Sequence, residues 1–151
     1  GSEEVLRNWE TIKQQERAGQ GERPKGVLDG VPKALPALLR AHRIQDKVAG
    51  VGFDFPSADE AWAKVEEELA EYRAAEDQAR RQAELGDVLF AVVNHARLSG
   101  LEAEGALQAT NARFTRRFEH VEARLREGGR APHQATLDEM DALWDEAKQR
   151  E

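Results

Sequence analysis

An all-α fold is the class this sequence predicts, and three features carry the prediction. Apolar residues recur at helical spacing in long segments, Ser57 with Glu60 and Thr136 with Glu139 form capping signals for helix starts, and only five residues are Pro. Charged residues make up 34% and hydrophobic residues 40%, a balance that suits long solvated helices better than a sandwich of short strands. A length of 151 residues fits one domain with a real core. The expected architecture is a helical bundle of about four core helices plus a peripheral N-terminal helix, completed by dimerisation.

The elements follow in chain order. From Glu4 to about Ala18, Val5, Trp9 and Ile12 share a helical face, and the stretch from Gly19 to Gly26, with Pro24, breaks the pattern. Residues 1–26 therefore read as an arm and linker, with Gly1-Ser2 a scar of tag removal, and residues 27–151 as the main domain. A second helix opens near Pro36 and carries Leu38, Leu39, Ile44 and Val48 until Gly50 and Gly52 stop it. Phe53-Asp54-Phe55-Pro56 forms an aromatic loop, after which Ser57 caps a third helix striped by Trp62, Val65, Leu69 and Tyr72.

Between Ala58 and Ser99 there is no Pro and Gly86 is the sole Gly, so breaker signals alone permit one helix of about 40 residues. The polar stretch Glu76 to Gln82 lacks core residues, and Asp77 is a usable N-cap, which places a tight helical hairpin there. The apolar stripe resumes as Leu85, Val88, Leu89, Val92 and Ala96. After Gly100 another long helix carries Leu107, Phe114, Phe118, Val121 and Leu125 to Gly128-Gly129, and Thr136 begins a last one with Leu137, Met140, Leu143 and Trp144.

Composition excludes several function classes. With no Cys there is no disulfide framework, thiolate metal site or thiol nucleophile, and a cytoplasmic setting is expected. The longest apolar run, Val88 to Val93, is far short of a membrane span, and no segment resembles a signal peptide. A net charge of −7 disfavours nucleic-acid binding, which depends on a basic surface. A polyanionic ligand needs metal ions or a local basic cluster.

Chemistry concentrates on two helices. At 100° per residue, Lys64, Glu67, Glu68 and Glu71 lie within an arc of about 100° on the third helix, and Glu84, Asp87, Ala91 and Asn94 within about 80° on the next. Folded back as a hairpin, the helices let Glu68, Glu71, Glu84 and Asp87 converge; in one unbroken helix Glu68 and Asp87 would stand roughly 28 Å apart. Clustered carboxylates repel one another, and an oxygen-ligated cation such as Mg²⁺ is the usual remedy. The alternative is an ordinary solvated acidic face. A di-iron bundle is excluded, because no His follows a Glu by three residues. Arg113, Arg117 and Arg124, with His120, make a basic stripe suited either to phosphate or to salt bridges with acidic helices. Trp144 and Lys148, at i,i+4, offer an aromatic platform with a cation.

These residues resemble the MazG nucleotide pyrophosphohydrolases of the all-α NTP pyrophosphatase superfamily. The family pattern Glu-Glu-x-x-Glu followed by Glu-x-x-Asp stands here as Glu67-Glu68-Leu69-Ala70-Glu71 and Glu84-Leu85-Gly86-Asp87, and the likeness to the catalytic C-terminal domain of two-domain members covers nearly the whole chain. The resemblance implies Glu68, Glu71, Glu84 and Asp87 as Mg²⁺ ligands, with Mn²⁺ as a substitute, and Glu67 as an assisting group; Glu67 and Glu71 are the candidate general bases. It implies nucleotide contacts from Lys64, Asn94, Arg117, Trp144 and Lys148, and from Arg113, which departs from the family's Lys. The implied activity is hydrolysis of NTP or dNTP to monophosphate and pyrophosphate by a homodimer that cleans the nucleotide pool. Within the superfamily, a dUTP- or dCTP-selective hydrolase or a phosphoribosyl-ATP pyrophosphatase is the alternative, and outside it a noncatalytic dimerisation module.

Overall fold

In a computed structural model of the chain, residues 1–19 and 25–151 are described, and the expected break around Pro24 lies largely outside them. Among the described residues there are six α-helices and no strand: α1 (Ser2–Gly19), α2 (Ala37–Gly50), α3 (Ala58–Ala74), α4 (Gln78–Leu98), α5 (Ala103–Glu127) and α6 (Leu137–Gln149). The fold is all-α as predicted, with five helices after the first among the described residues. They fall into two units, Gly1–Glu104 and Gly105–Glu151.

In the first unit, local chemistry sets the helix ends. The Ser57 hydroxyl accepts from Glu60 N at 3.2 Å, and Asp77 Oδ1 accepts from Arg80 N at 2.7 Å, so α3 and α4 each start on a side-chain cap. At the end of α2, Gly52 adopts φ 96°, Phe53 N donates to Val48 O and Gly52 N to Ala49 O, each at 2.9 Å. This paired closure needs a left-handed residue, which Gly supplies without a steric penalty. It turns the aromatic loop sharply out of α2.

The hairpin forms where Asp77 predicted it. α3 and α4 run antiparallel: His95 Nδ1 lies 2.8 Å from Ala58 O, and the Trp62 and His95 rings meet edge-on with centroids 5.1 Å apart. The hairpin buries only Val65 and Val88 of the expected stripes. Trp62 and Leu69 are 44% and 41% exposed and Leu85 and Leu89 41% and 48%, whereas Ala61, Val65, Glu68, Val88 and Ala91 are buried. At 100° per residue the buried arc on α3 is rotated by about 50° from the expected stripe, whereas on α4 Val88 and Ala91 lie on one side and Val93 on the other. Small side chains let the two axes approach, and that rotation carries Glu68 inward while larger apolar groups remain uncovered.

In the second unit, Val121 and Leu125 on α5 and Ala147 on α6 are buried. α6 begins with the predicted reciprocal box: Glu139 N donates to Thr136 Oγ1 at 3.1 Å and Thr136 N to Glu139 Oε1 at 3.5 Å. Arg130 also pairs with Glu139.

Candidate functional site

The hairpin brings carboxylates from both helices together. Glu68, Glu71 and Glu84 each present an oxygen within 4.8 Å of the others. Glu68 is 7% exposed; its Oε1 lies 3.1 Å from Lys64 Nζ, while its buried Oε2 has no hydrogen-bond partner. Glu84 likewise has a buried Oε2 without a partner, its other oxygen lying 4.0 Å from Arg80 Nε. Asp87, the fourth expected ligand, is exposed and stands outside the three-carboxylate group, lining a cavity with Glu68. Glu67 is exposed on the neighbouring turn, 3.4 Å from Lys64 Nζ.

The electrostatics match this crowding. The Glu68 charge, with some burial and the Glu84 charge, raises the Glu71 carboxyl above its ordinary range. Lys64 is raised in turn, chiefly by its hydrogen bond to Glu68. One ammonium on the edge does not satisfy three carboxylates, and two orphaned buried oxygens are costly to leave without a donor or cation. The donor set is all oxygen, from two rigid helices, which fits a hard divalent ion such as Mg²⁺ rather than zinc.

Beside the carboxylates a cavity of about 560 Å³ opens between α2, the aromatic loop, α3 and α4. Ile44, Val48, Phe53, Phe55, Phe90 and Ala91 supply apolar wall; Lys64, Glu68, Asp87 and Asn94 supply charge and hydrogen bonds. Its volume and mixed lining suit a small organic ligand with a polar end. Three polar lining residues were missed by sequence reasoning: Gln45, Asp54 and Arg97. Gln45 is 2% exposed and donates through Nε2 to Phe90 O at 2.9 Å, tying α2 to α4. Arg97 joins Asp54 and Asn94. The spacing of Asn94 and Arg97 at i,i+3 was the one signal available for this group.

The second unit holds the other expected contacts. The Arg117 guanidinium lies 5.6 Å from the centre of the Trp144 ring and makes two bonds to Glu151, at 2.7 and 2.8 Å. Phe114 packs on Trp144 with centroids 4.8 Å apart. Arg113 donates to Thr110 Oγ1 at 3.4 Å, and Lys148 is exposed. Arg124 pairs with Glu146 and Glu127, the ordinary salt-bridging role.

The model of the MazG nucleotide pyrophosphohydrolase domain matches residues 60–122, which span α3, α4 and most of α5. The chain is 42% identical over 155 residues to the nucleoside triphosphate pyrophosphohydrolase of Escherichia coli K12, covering 99% of this chain and 58% of the relative. It is 32% identical over 142 residues to the nucleoside triphosphate pyrophosphohydrolase/pyrophosphatase MazG of Thermotoga maritima, covering 94% and 54%. A further relative, the uncharacterized protein YabN of Bacillus subtilis, is 43% identical over 152 residues, 98% of this chain and 30% of that one. The chain thus spans about half the length, or less, of the curated relatives it matches. Residues 60–122, with the acidic hairpin, are thus similar to the MazG nucleotide pyrophosphohydrolase domain, the family the motifs resemble.

Proposed function

We propose that this chain hydrolyses nucleoside triphosphates to the monophosphate and pyrophosphate with Mg²⁺, as its relatives' names indicate for them, and that residues 27–151 form the catalytic part. The observation that carries the reading is the meeting of Glu68, Glu71 and Glu84 within 4.8 Å beside a cavity of about 560 Å³. Glu68, Glu71 and Glu84, with Asp87 from the cavity wall, are the residues that would hold the metal. Bound there, a divalent ion supplies charge neutralisation and Lewis acidity toward a triphosphate.

The chain's own groups then have distinct tasks. Glu71, raised by its acidic neighbours, and the exposed Glu67 are the candidates to accept the proton of the attacking water. Lys64 holds Glu68 in place and brings a positive charge to the same wall. The apolar wall excludes water from part of the ligand, which strengthens the polar contacts beside it. Arg113, Arg117, Trp144 and Lys148 stand as proposed nucleotide contacts. A role in clearing unwanted nucleotides follows if base preference is loose. Homodimerisation is part of the proposal, because Leu69, Leu85, Leu89 and Phe90 leave a broad apolar face on the hairpin open.

The test is hydrolysis of a nucleotide panel in ¹⁸O-labelled water. Attack at the α-phosphorus puts the label in the monophosphate, with pyrophosphate formed alongside it. Label in orthophosphate, or a diphosphate product, would sink this mechanism.

A further inference from the structure

Arg97 sits on α4 one turn beyond Asn94, and its side chain is only 10% exposed. Its Nε and Nη2 donate to Asn94 Oδ1 at 3.1 and 2.7 Å, Nη2 also reaches Asp54 Oδ1 at 2.5 Å, and Nη1 lies 3.9 Å from Asp46. Asp54 Oδ1 additionally accepts from Phe55 N at 2.8 Å, so the guanidinium is tied to the backbone of the aromatic loop. Asn94, Asp54 and Arg97 all line the cavity.

A guanidinium has donors only, so the Asn94 atom it grips is the carbonyl oxygen, and the amide group is left on the opposite branch. We propose that Arg97 is a positioning residue, which turns Asn94 so that its NH₂ donates into the cavity. The proposal rests on the nucleotide-hydrolase reading of the cavity. The group that Asn94 meets is then a hydrogen-bond acceptor of the nucleotide, an oxygen of phosphate, sugar or base. Direct phosphate binding by Arg97 is disfavoured, since each of the three nitrogens already faces an acceptor and two carboxylates offset its charge.

The experiment compares the full chain with Arg97→Gln, Arg97→Lys, Asn94→Ala and the double variant Arg97→Gln/Asn94→Ala. Saturation kinetics, and calorimetric binding of a non-hydrolysable α,β-imido nucleoside triphosphate, give KM, kcat and Kd. Arg97→Gln is expected to raise KM and Kd by about tenfold, the equivalent of one lost hydrogen bond to ligand, with kcat little changed. In the Asn94→Ala background the same change should add almost nothing, because its target is gone. Arg97→Lys, which keeps the Asp54 pair but not the two-donor grip, should fall between and guards against a folding defect. The Asn94 side-chain amide signals in a ¹⁵N-correlated NMR spectrum should move in both Arg97 variants without any nucleotide present. Unmoved amide signals, or multiplicative effects in the double variant, would overturn the proposal. Moved signals in a protein that neither binds nor cleaves nucleotide would uphold the positioning and reject the nucleotide reading instead.

Discussion

Replacing Glu68 by Gln removes one charge from the carboxylate group while leaving its volume between α3 and α4. The Glu68 and Glu84 side chains are 9% and 13% exposed and approach within 4.8 Å. Two unit charges at that separation repel by about 3 kcal/mol at an effective dielectric of ~20. Loss of the Lys64 pair offsets part of the relief, so without metal Glu68→Gln should melt no lower than the unchanged protein. With metal the order should reverse. At a Mg²⁺ concentration about 100 times Kd, the unchanged chain gains about 2.7 kcal/mol by mass action. For a chain of this size that is a rise in Tm of about 5–10 °C. In Glu68→Gln the rise should vanish or need at least tenfold more Mg²⁺. Thermal denaturation followed by circular dichroism across a MgCl₂ series measures both effects. An equal Mg²⁺ shift in the two proteins refutes the shared-ligand reasoning, and a metal-free variant melting far below the unchanged chain refutes the repulsion argument.

Three other outcomes are expected. Asp87→Asn should abolish nucleotide hydrolysis while leaving the helical spectrum unchanged, and a normal rate would remove Asp87 from the site. Light scattering at micromolar concentration should give twice the 16.9 kDa chain mass, because the open apolar face of α3 and α4 requires cover; the monomer mass would count against it. The Glu139 carboxyl is held below its ordinary range, first by its hydrogen bond from Arg130 and also by Thr136. Its stabilisation is therefore complete at neutral pH and lost as pH falls from the unfolded-state value through the lowered folded one. Between about pH 5 and pH 3 the unchanged protein should lose more Tm than Glu139→Gln, and parallel curves would show that the pair contributes nothing.

Much of the site was legible because its signals are local. Ser57 and Asp77, each the N-cap directly before its helix, announced two helix starts, and the i,i+3 spacing of Glu68 with Glu71 placed both on one arc before any partner was known. The hairpin then followed from the absence of core residues in Glu76 to Gln82. Arg97, Asp54 and Gln45 were not legible, because their meaning lies in contacts 43 to 45 residues apart in sequence. No pattern on α4 alone says that Arg97 will find the aromatic loop.

The sequence by itself determined where helices begin and end, which residues share a helical face, and that the acidic charge sits on two consecutive helices. Tertiary structure alone decided which arc of each helix turns inward. The stripes predicted Trp62, Leu69, Leu85 and Leu89 as core beside Val65 and Val88, yet of these only the two valines are buried, joined by Ala61 and Ala91. The physical reason is that hydrophobicity is a property of each residue, whereas burial is a property of a pair of surfaces. Close approach of two helices favours small side chains at the seam, and here that seam carries Glu68 inward beside Glu84.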